Sequence, residues 1–202
     1  MTRILIVPGF NGSDVGHWQH HWLQDDPNAA LVDQESWGHP VLWHWLHKLE
    51  ADLIANPHAV LVGHSLGAVL IAHLAGRPAA AHVDGALLVA PSDLEAAQRR
   101  HPGRIDFGMM PRKQLPFPSI MVASRDDPYM TWHQSREYAG IWGSGMIDLG
   151  NAGHVNIASG HGRWADAYPI ARSLTRNSDT LQTLAADQRG VSHANIAHSA
   201  AR

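Results

Sequence analysis

The sequence predicts an α/β fold, a mostly parallel twisted sheet with helices on both faces. Three observations lead there. Short apolar runs alternate with helical patterns along most of the 202 residues, as they do where helices cover a parallel sheet. Hydrophobic residues make up 45% of the chain and charged residues 16%, enough apolar material for a continuous core. Prolines punctuate the pattern: Pro57 precedes the third apolar run, and Pro116 and Pro118 precede the fifth.

Strands are predicted at 3–7, 29–33, 59–62, 85–89, 119–123 and 146–149, and helices at 16–24, 41–55, 66–75, 132–141 and 163–175. The stretch from Ser92 to Leu115 is basic, carries prolines and has weak periodicity. It reads as a long connection that either flanks a cleft or makes a surface excursion. From Arg176 onward the composition turns polar, so the expected organisation is one domain over 1–175 and a polar tail over 176–202. Leu181, Leu184 and Ala185 have the spacing of a short helix within that tail.

Composition excludes several classes of function. The net charge of −3 does not favour nucleic acid or another polyanion as partner. With no cysteine, disulfides, thiolate metal sites and a cysteine nucleophile are ruled out. The first apolar run begins almost at Met1, and no run reaches the ~20 residues that span a bilayer. A cytoplasmic protein with no membrane segment is the expectation. The chain has 16 histidines, with i,i+3 pairs in the strings His17–His21 and His44–His47. No Asp or Glu stands at a matching helical offset and the His-Glu-x-x-His pattern is missing, so no metal site is expected.

The chemistry gathers around Gly63-His64-Ser65-Leu66-Gly67. This pentapeptide lies between the apolar run His58–Val62 and the helical run that starts at Leu66, which makes a strand, a sharp turn and a helix with Ser65 at the apex. Such a turn exposes a hydroxyl and places neighbouring amides where negative charge develops. A serine is a poor nucleophile at neutral pH, so it needs a base, and the base needs a carboxylate to fix its tautomer. In a sheet of this kind the parts follow in the order serine, acid, histidine, on loops at the carboxyl ends of strands. Ser124-Arg125-Asp126-Asp127-Pro128-Tyr129 follows the fifth strand, and Asp127 is the preferred acid because Pro128 biases it toward an extended backbone. Asp93, on the loop after the fourth strand, is the competing acid. His154, in the glycine-bearing loop Gly150–Asn156 after the last strand, is the preferred base, and His161 is the second choice. The oxyanion donors are expected to be the amide of Leu66 and that of Phe10 or Asn11 in the loop Pro8–Ser13. Of the 8 tryptophans, most read as core; Trp18 and Trp132, each near a loop of the site, are the candidates for contact with substrate.

Taken in order, Pro8–Ser13 with His17-Trp18-Gln19, the turn Gly63–Gly67, Ser124–Tyr129, and Gly153–Asn156 with Ser159-Gly160 resemble the motifs of the YdeN-like small serine hydrolases. This α/β-hydrolase family also contains the retinoblastoma-binding-protein hydrolase of animals. The likeness extends from about Thr2 to Trp164. It implies a compact α/β-hydrolase with little or no lid and carboxylesterase activity on small acyl substrates, without a cofactor. It also implies Asp127 as the acid and His154 as the base. Two departures stand out: Ser36-Trp37-Gly38-His39 has glycine where the family often has an acid after tryptophan, and His161 replaces a common aromatic. The expected activity is hydrolysis of a small-molecule acyl ester through a Ser-His-Asp triad and an acyl-enzyme. The alternative is a hydrolase-fold binding protein with vestigial turnover.

Overall fold

The computed structural model describes residues 2–175; the expected tail, 176–202, lies outside the described residues. Six strands form one sheet: β1 (Ile4–Val7), β2 (Ala29–Leu31), β3 (Ala59–His64), β4 (Val83–Val89), β5 (Ser119–Ala123) and β6 (Gly145–Asp148). They stand in the order β2-β1-β3-β4-β5-β6, and every neighbouring pair is parallel. This is the α/β arrangement that the alternating pattern predicts. The helices are α1 (Trp18–Asp25), α2 (Leu42–Ala55), α3 (Leu66–Ala72), α4 (Leu94–Arg100), α5 (Trp132–Trp142) and α6 (Ala167–Arg172).

Strands β1, β3 and β4 are buried along their whole length because each side chain that points away from one layer enters the other. Leu5, Val7, Leu61, Ala86, Leu88 and Met121 pack with α2, α3, α4 and α5 in one core. Ile4, Ile6, Val60, Val62, Leu87, Val89 and Val122 pack with Trp18, Trp22 and the apolar residues of α6 in a second. Helix α3 is buried at every position, which an apolar sequence without a polar stripe requires. None of the described helices is long and apolar enough to cross a membrane.

Where the element bounds differ from expectation, local chemistry explains the difference. Helix α1 starts at Trp18 because the ring Nδ1 of His17 accepts the Gln19 amide at 3.2 Å and caps the first turn. The last helix is confined to 167–172; Pro169 sits in its first turn, where a missing N–H costs nothing but an upstream extension clashes. The connection 92–115 contains a helix the periodicity does not reveal. Asp93 caps α4 by accepting the Ala96 amide at 2.8 Å, and only Leu94, Ala96 and Ala97 are buried in it. Beyond α4 the connection returns to the sheet by burying Ile105, Phe107, Leu115 and Phe117. It flanks a cleft and is not a surface excursion.

Candidate active site

Ser65 sits at the carboxyl end of β3 with φ 55° and ψ −121°. A positive φ is costly for a residue with a Cβ, on the order of 1–3 kcal/mol, and the surroundings hold it in place. The Ser65 amide donates to Val89 O at 3.0 Å, and its carbonyl accepts from Ala68 at 3.1 Å. The glycines permit the close packing around this turn. A Cβ on Gly63 would lie 2.8 Å from Ala68 Cα, and one on Gly67 only 2.1 Å from Val7 O. On Gly9 it would meet Ser65 Cβ at 2.8 Å and Leu66 N at 3.1 Å, so the loop after β1 lies directly against the turn.

Three side chains from three loops meet here. His154 Nε2 is 2.8 Å from Ser65 Oγ. On the other side of the ring, Nδ1 is 2.9 and 3.0 Å from the two carboxylate oxygens of Asp127. The side chains of His154 and Asp127 are 7% and 3% exposed, so water competes little for these bonds. The Tyr129 amide donates to Asp127 Oδ1 at 2.8 Å, and the Tyr129 ring stands 4.4 Å from that of His154. Asp126 ties the two loops together, accepting from Ser124 Oγ at 2.6 Å and from the Gly153 amide at 2.8 Å. These two bonds, the hydroxyl first, hold its carboxyl below the usual range.

The competing residues have other partners. Asp93 is spent on capping α4. His161 turns to Ser159, with Nδ1 3.2 Å from the carbonyl oxygen. His64 donates from Nε2 to the His154 carbonyl at 2.9 Å, an orienting contact. Complete burial, reinforced by the charge His154 can carry, lowers the pKa of His64 well below the usual imidazole range. His17 is brought down to about 4, first by burial and then by His154. Both rings are therefore neutral at physiological pH, and an imidazolium that forms at His154 meets no like charge from them.

Of the proposed oxyanion donors, the Asn11 amide is already committed, donating to Trp37 O at 3.0 Å. This removes Asn11 from that role. Among the described residues the Leu66 and Phe10 amides have no acceptor. Neither tryptophan expected at the substrate lines the cleft. Trp18 is 1% exposed, packs against Trp22, Trp164 and His64, and donates its indole N–H to Val155 O at 2.9 Å. It holds the His154 loop from behind, across a Val155 whose φ is 48°. Trp132 is half-buried with the Arg125 guanidinium 5.7 Å from its ring.

The walls come instead from Phe10 and Tyr129, inside the motifs of the first and fifth strand loops, and from residues outside every motif. A cleft of about 320 Å³ opens over Ser65 and His154, with Phe10, Ala97, Ile105, Tyr129 and Ile157 as its apolar lining and His101 and Ser92 beside them. The His101 ring is tilted against that of Phe10 at 4.6 Å and lies nearly parallel to that of Tyr129 at 6.2 Å. The available signal for these residues was position: each lies on or just beyond a loop at the carboxyl end of a strand. The His17-Trp18-Gln19 string acts as a buttress, since Gln19 Nε2 donates to Val62 O at 3.0 Å and to Val7 O at 3.4 Å, carbonyls at the ends of β3 and β1.

The chain is similar in structure to a YdeN-like hydrolase from Pectobacterium atrosepticum, with 28% identity over 87% of this chain and 93% of that one and a TM-score of 0.74. It is also similar to the ydeN gene product of B. subtilis, at 19% identity over 86% and 98% with a TM-score of 0.66. The type II thioesterase BorB of the borrelidin biosynthetic cluster shares the fold, at 19% identity over 86% and 91% with a TM-score of 0.58. No curated protein matches the sequence. The serine hydrolase family signature spans residues 4–173, from the first strand through the last helix and across all three loops of the site. The chain is a member of the serine hydrolase family, on an α/β-hydrolase fold.

Proposed function

We propose that the protein is a carboxylic ester hydrolase that cleaves small acyl esters by way of an acyl-enzyme, in a cytoplasmic setting. One observation carries the reading: an unbroken hydrogen-bonded chain from Asp127 through His154 to Ser65, with links of 2.9 and 2.8 Å, at the floor of an open cleft. In this reading Asp127 accepts a hydrogen bond from Nδ1–H, which stays on the ring, so Nε2 is free to take the proton of Ser65 as Oγ attacks the acyl carbon. The amides of Leu66 and Phe10 receive the developing oxyanion, each worth about 3 kcal/mol. His154 then protonates the leaving alcohol, activates water, and returns the enzyme to its starting state. A cleft of about 320 Å³ is at the small end of ligand sites, which favours short acyl groups.

A fluorophosphonate probe and a series of p-nitrophenyl esters of increasing chain length test this. The probe is expected on Ser65, with hydrolysis fastest for the short esters. Ser65→Ala should lose both labelling and turnover with an unchanged melting temperature. Ester cleavage by Ser65→Ala at the wild-type rate would reject the assignment.

A further inference from the structure

Ser92 has no part in the scheme above, yet it touches the reacting atom. It lies just after β4, the strand beside β3, and is 2% exposed. Its Oγ is 2.7 Å from Ser65 Oγ, a contact as close as that of His154. The segment that carries it is pinned on both sides. Ala90 takes a φ of 43° while its amide still donates to Val122 O at 2.8 Å, and the Asp93 amide donates to Tyr129 O at 3.0 Å. Neither the strand nor the α4 cap needs a hydroxyl at position 92, and among the described residues that hydroxyl bonds to Ser65 alone.

The direction of the bond follows by elimination. Neutral His154 has one ring proton, held between Nδ1 and Asp127, so Nε2 accepts the proton of Ser65. With its own proton committed, Ser65 Oγ can only accept from Ser92.

We propose that Ser92 is a catalytic hydrogen-bond donor to Ser65 Oγ that accelerates deacylation and leaves acylation nearly unchanged; the proposal rests on the ester-hydrolase reading. In deacylation His154 Nε2 takes a proton from water, whose oxygen adds to the acyl carbon. On collapse the bond from the acyl carbon to Oγ breaks, its electron pair goes to Oγ, the oxyanion re-forms the carbonyl, and His154 returns the proton to Oγ. The products are the free acid and the Ser65 hydroxyl. During this step Oγ changes from an ester oxygen, a weak acceptor, to an alkoxide-like oxygen, a strong one. The Ser92 bond strengthens on the way to that transition state, and only such strengthening lowers a barrier. In acylation Oγ begins as a hydroxyl that already accepts the bond, so the gain is small.

Stopped-flow hydrolysis of p-nitrophenyl acetate by wild type and Ser92→Ala separates the two steps. The variant should release a burst of about one p-nitrophenolate per protein at a rate close to wild type. The steady phase should then run about 10- to 100-fold slower, the loss of one hydrogen bond to a charged atom. kcat and KM should fall together with kcat/KM preserved, and the rate of fluorophosphonate labelling should not change. A merely structural role would lower the burst rate, kcat/KM and labelling along with kcat. That result, or an unchanged steady rate in a folded variant, overturns the proposal. If the wild type itself neither labels at Ser65 nor shows turnover, the ester-hydrolase reading fails first, independently of Ser92.

Discussion

Asp127 is worth more than its charge, because its bond to Nδ1 decides which ring nitrogen of His154 carries the proton. An asparagine there can donate its amide N–H to Nδ1 and so favour the tautomer whose Nε2 carries the proton. That ring no longer accepts from Ser65. Asp127→Asn is therefore expected to lower kcat by about 10⁴-fold with little change in KM, read from p-nitrophenyl ester kinetics. A loss smaller than tenfold, or a larger one from Asp93→Asn, would move the role elsewhere. The local sequence does favour Asp127 over Asp126, since Pro128 directs the backbone. What it cannot express is that Asp126 bonds the Gly153 amide and so sets the distance between the Asp127 loop and the His154 loop. That contact links residues 27 positions apart, and no local propensity encodes it.

For the elements, the tight point is the crossing of α3 over β1. At Gly67 a Cβ would lie 2.1 Å from Val7 O and 2.5 Å from Pro8 O, both rigid backbone atoms at the root of the loop after β1. Gly67→Ala should cost about 3 kcal/mol or more of stability and disturb activity with it. Gly140, inside α5, has open space around its missing Cβ and ordinary helical backbone. Gly140→Ala should instead gain about 0.5–1 kcal/mol. Urea denaturation of the two variants checks the pair, and equal effects would contradict the packing described here. Long apolar elements were legible because their hydrophobic residues have no polar stripe to mislead. Helix α4 was not, because Leu94, Ala96 and Ala97 are its only buried residues, too few to set a period against Arg99 and Arg100.

Across the whole molecule, buried histidines tie stability to pH. His17 and His73 are each lowered to about 4, burial being the main cause, and complete burial lowers His64 well below the usual imidazole range as well. Unfolded, each takes up a proton near 6.5, so between 6.5 and about 4 the unfolded chain binds more protons than the folded one. Stability is then whole above pH 6.5 and falls as pH drops through that window, and the contributions of His17 and His73 are fully lost below about 4. Melting temperatures measured from pH 7.5 to 4.5 should decline accordingly. His73 is outside the proposed site, and its Nε2 is buried without a partner among the described residues. In His73→Leu, proton uptake on unfolding at pH 5 should fall by about one. Slopes identical to wild type would mean that His73 is protonated when folded.

The sequence by itself determined the parallel α/β layering, the serine at a strand-to-helix turn, and the chain order of hydroxyl, carboxylate and imidazole. Each of these is written in residues close together, as apolar runs, glycines and a proline whose effects are local. Only the tertiary structure decided which amide near Phe10 is free, that Trp18 braces the His154 loop and does not line the cleft, and that Ser92 lies against Ser65. Those outcomes depend on which strand ends become neighbours in the sheet, and therefore on packing between residues up to 137 positions apart, a distance over which no run of adjacent side chains carries information.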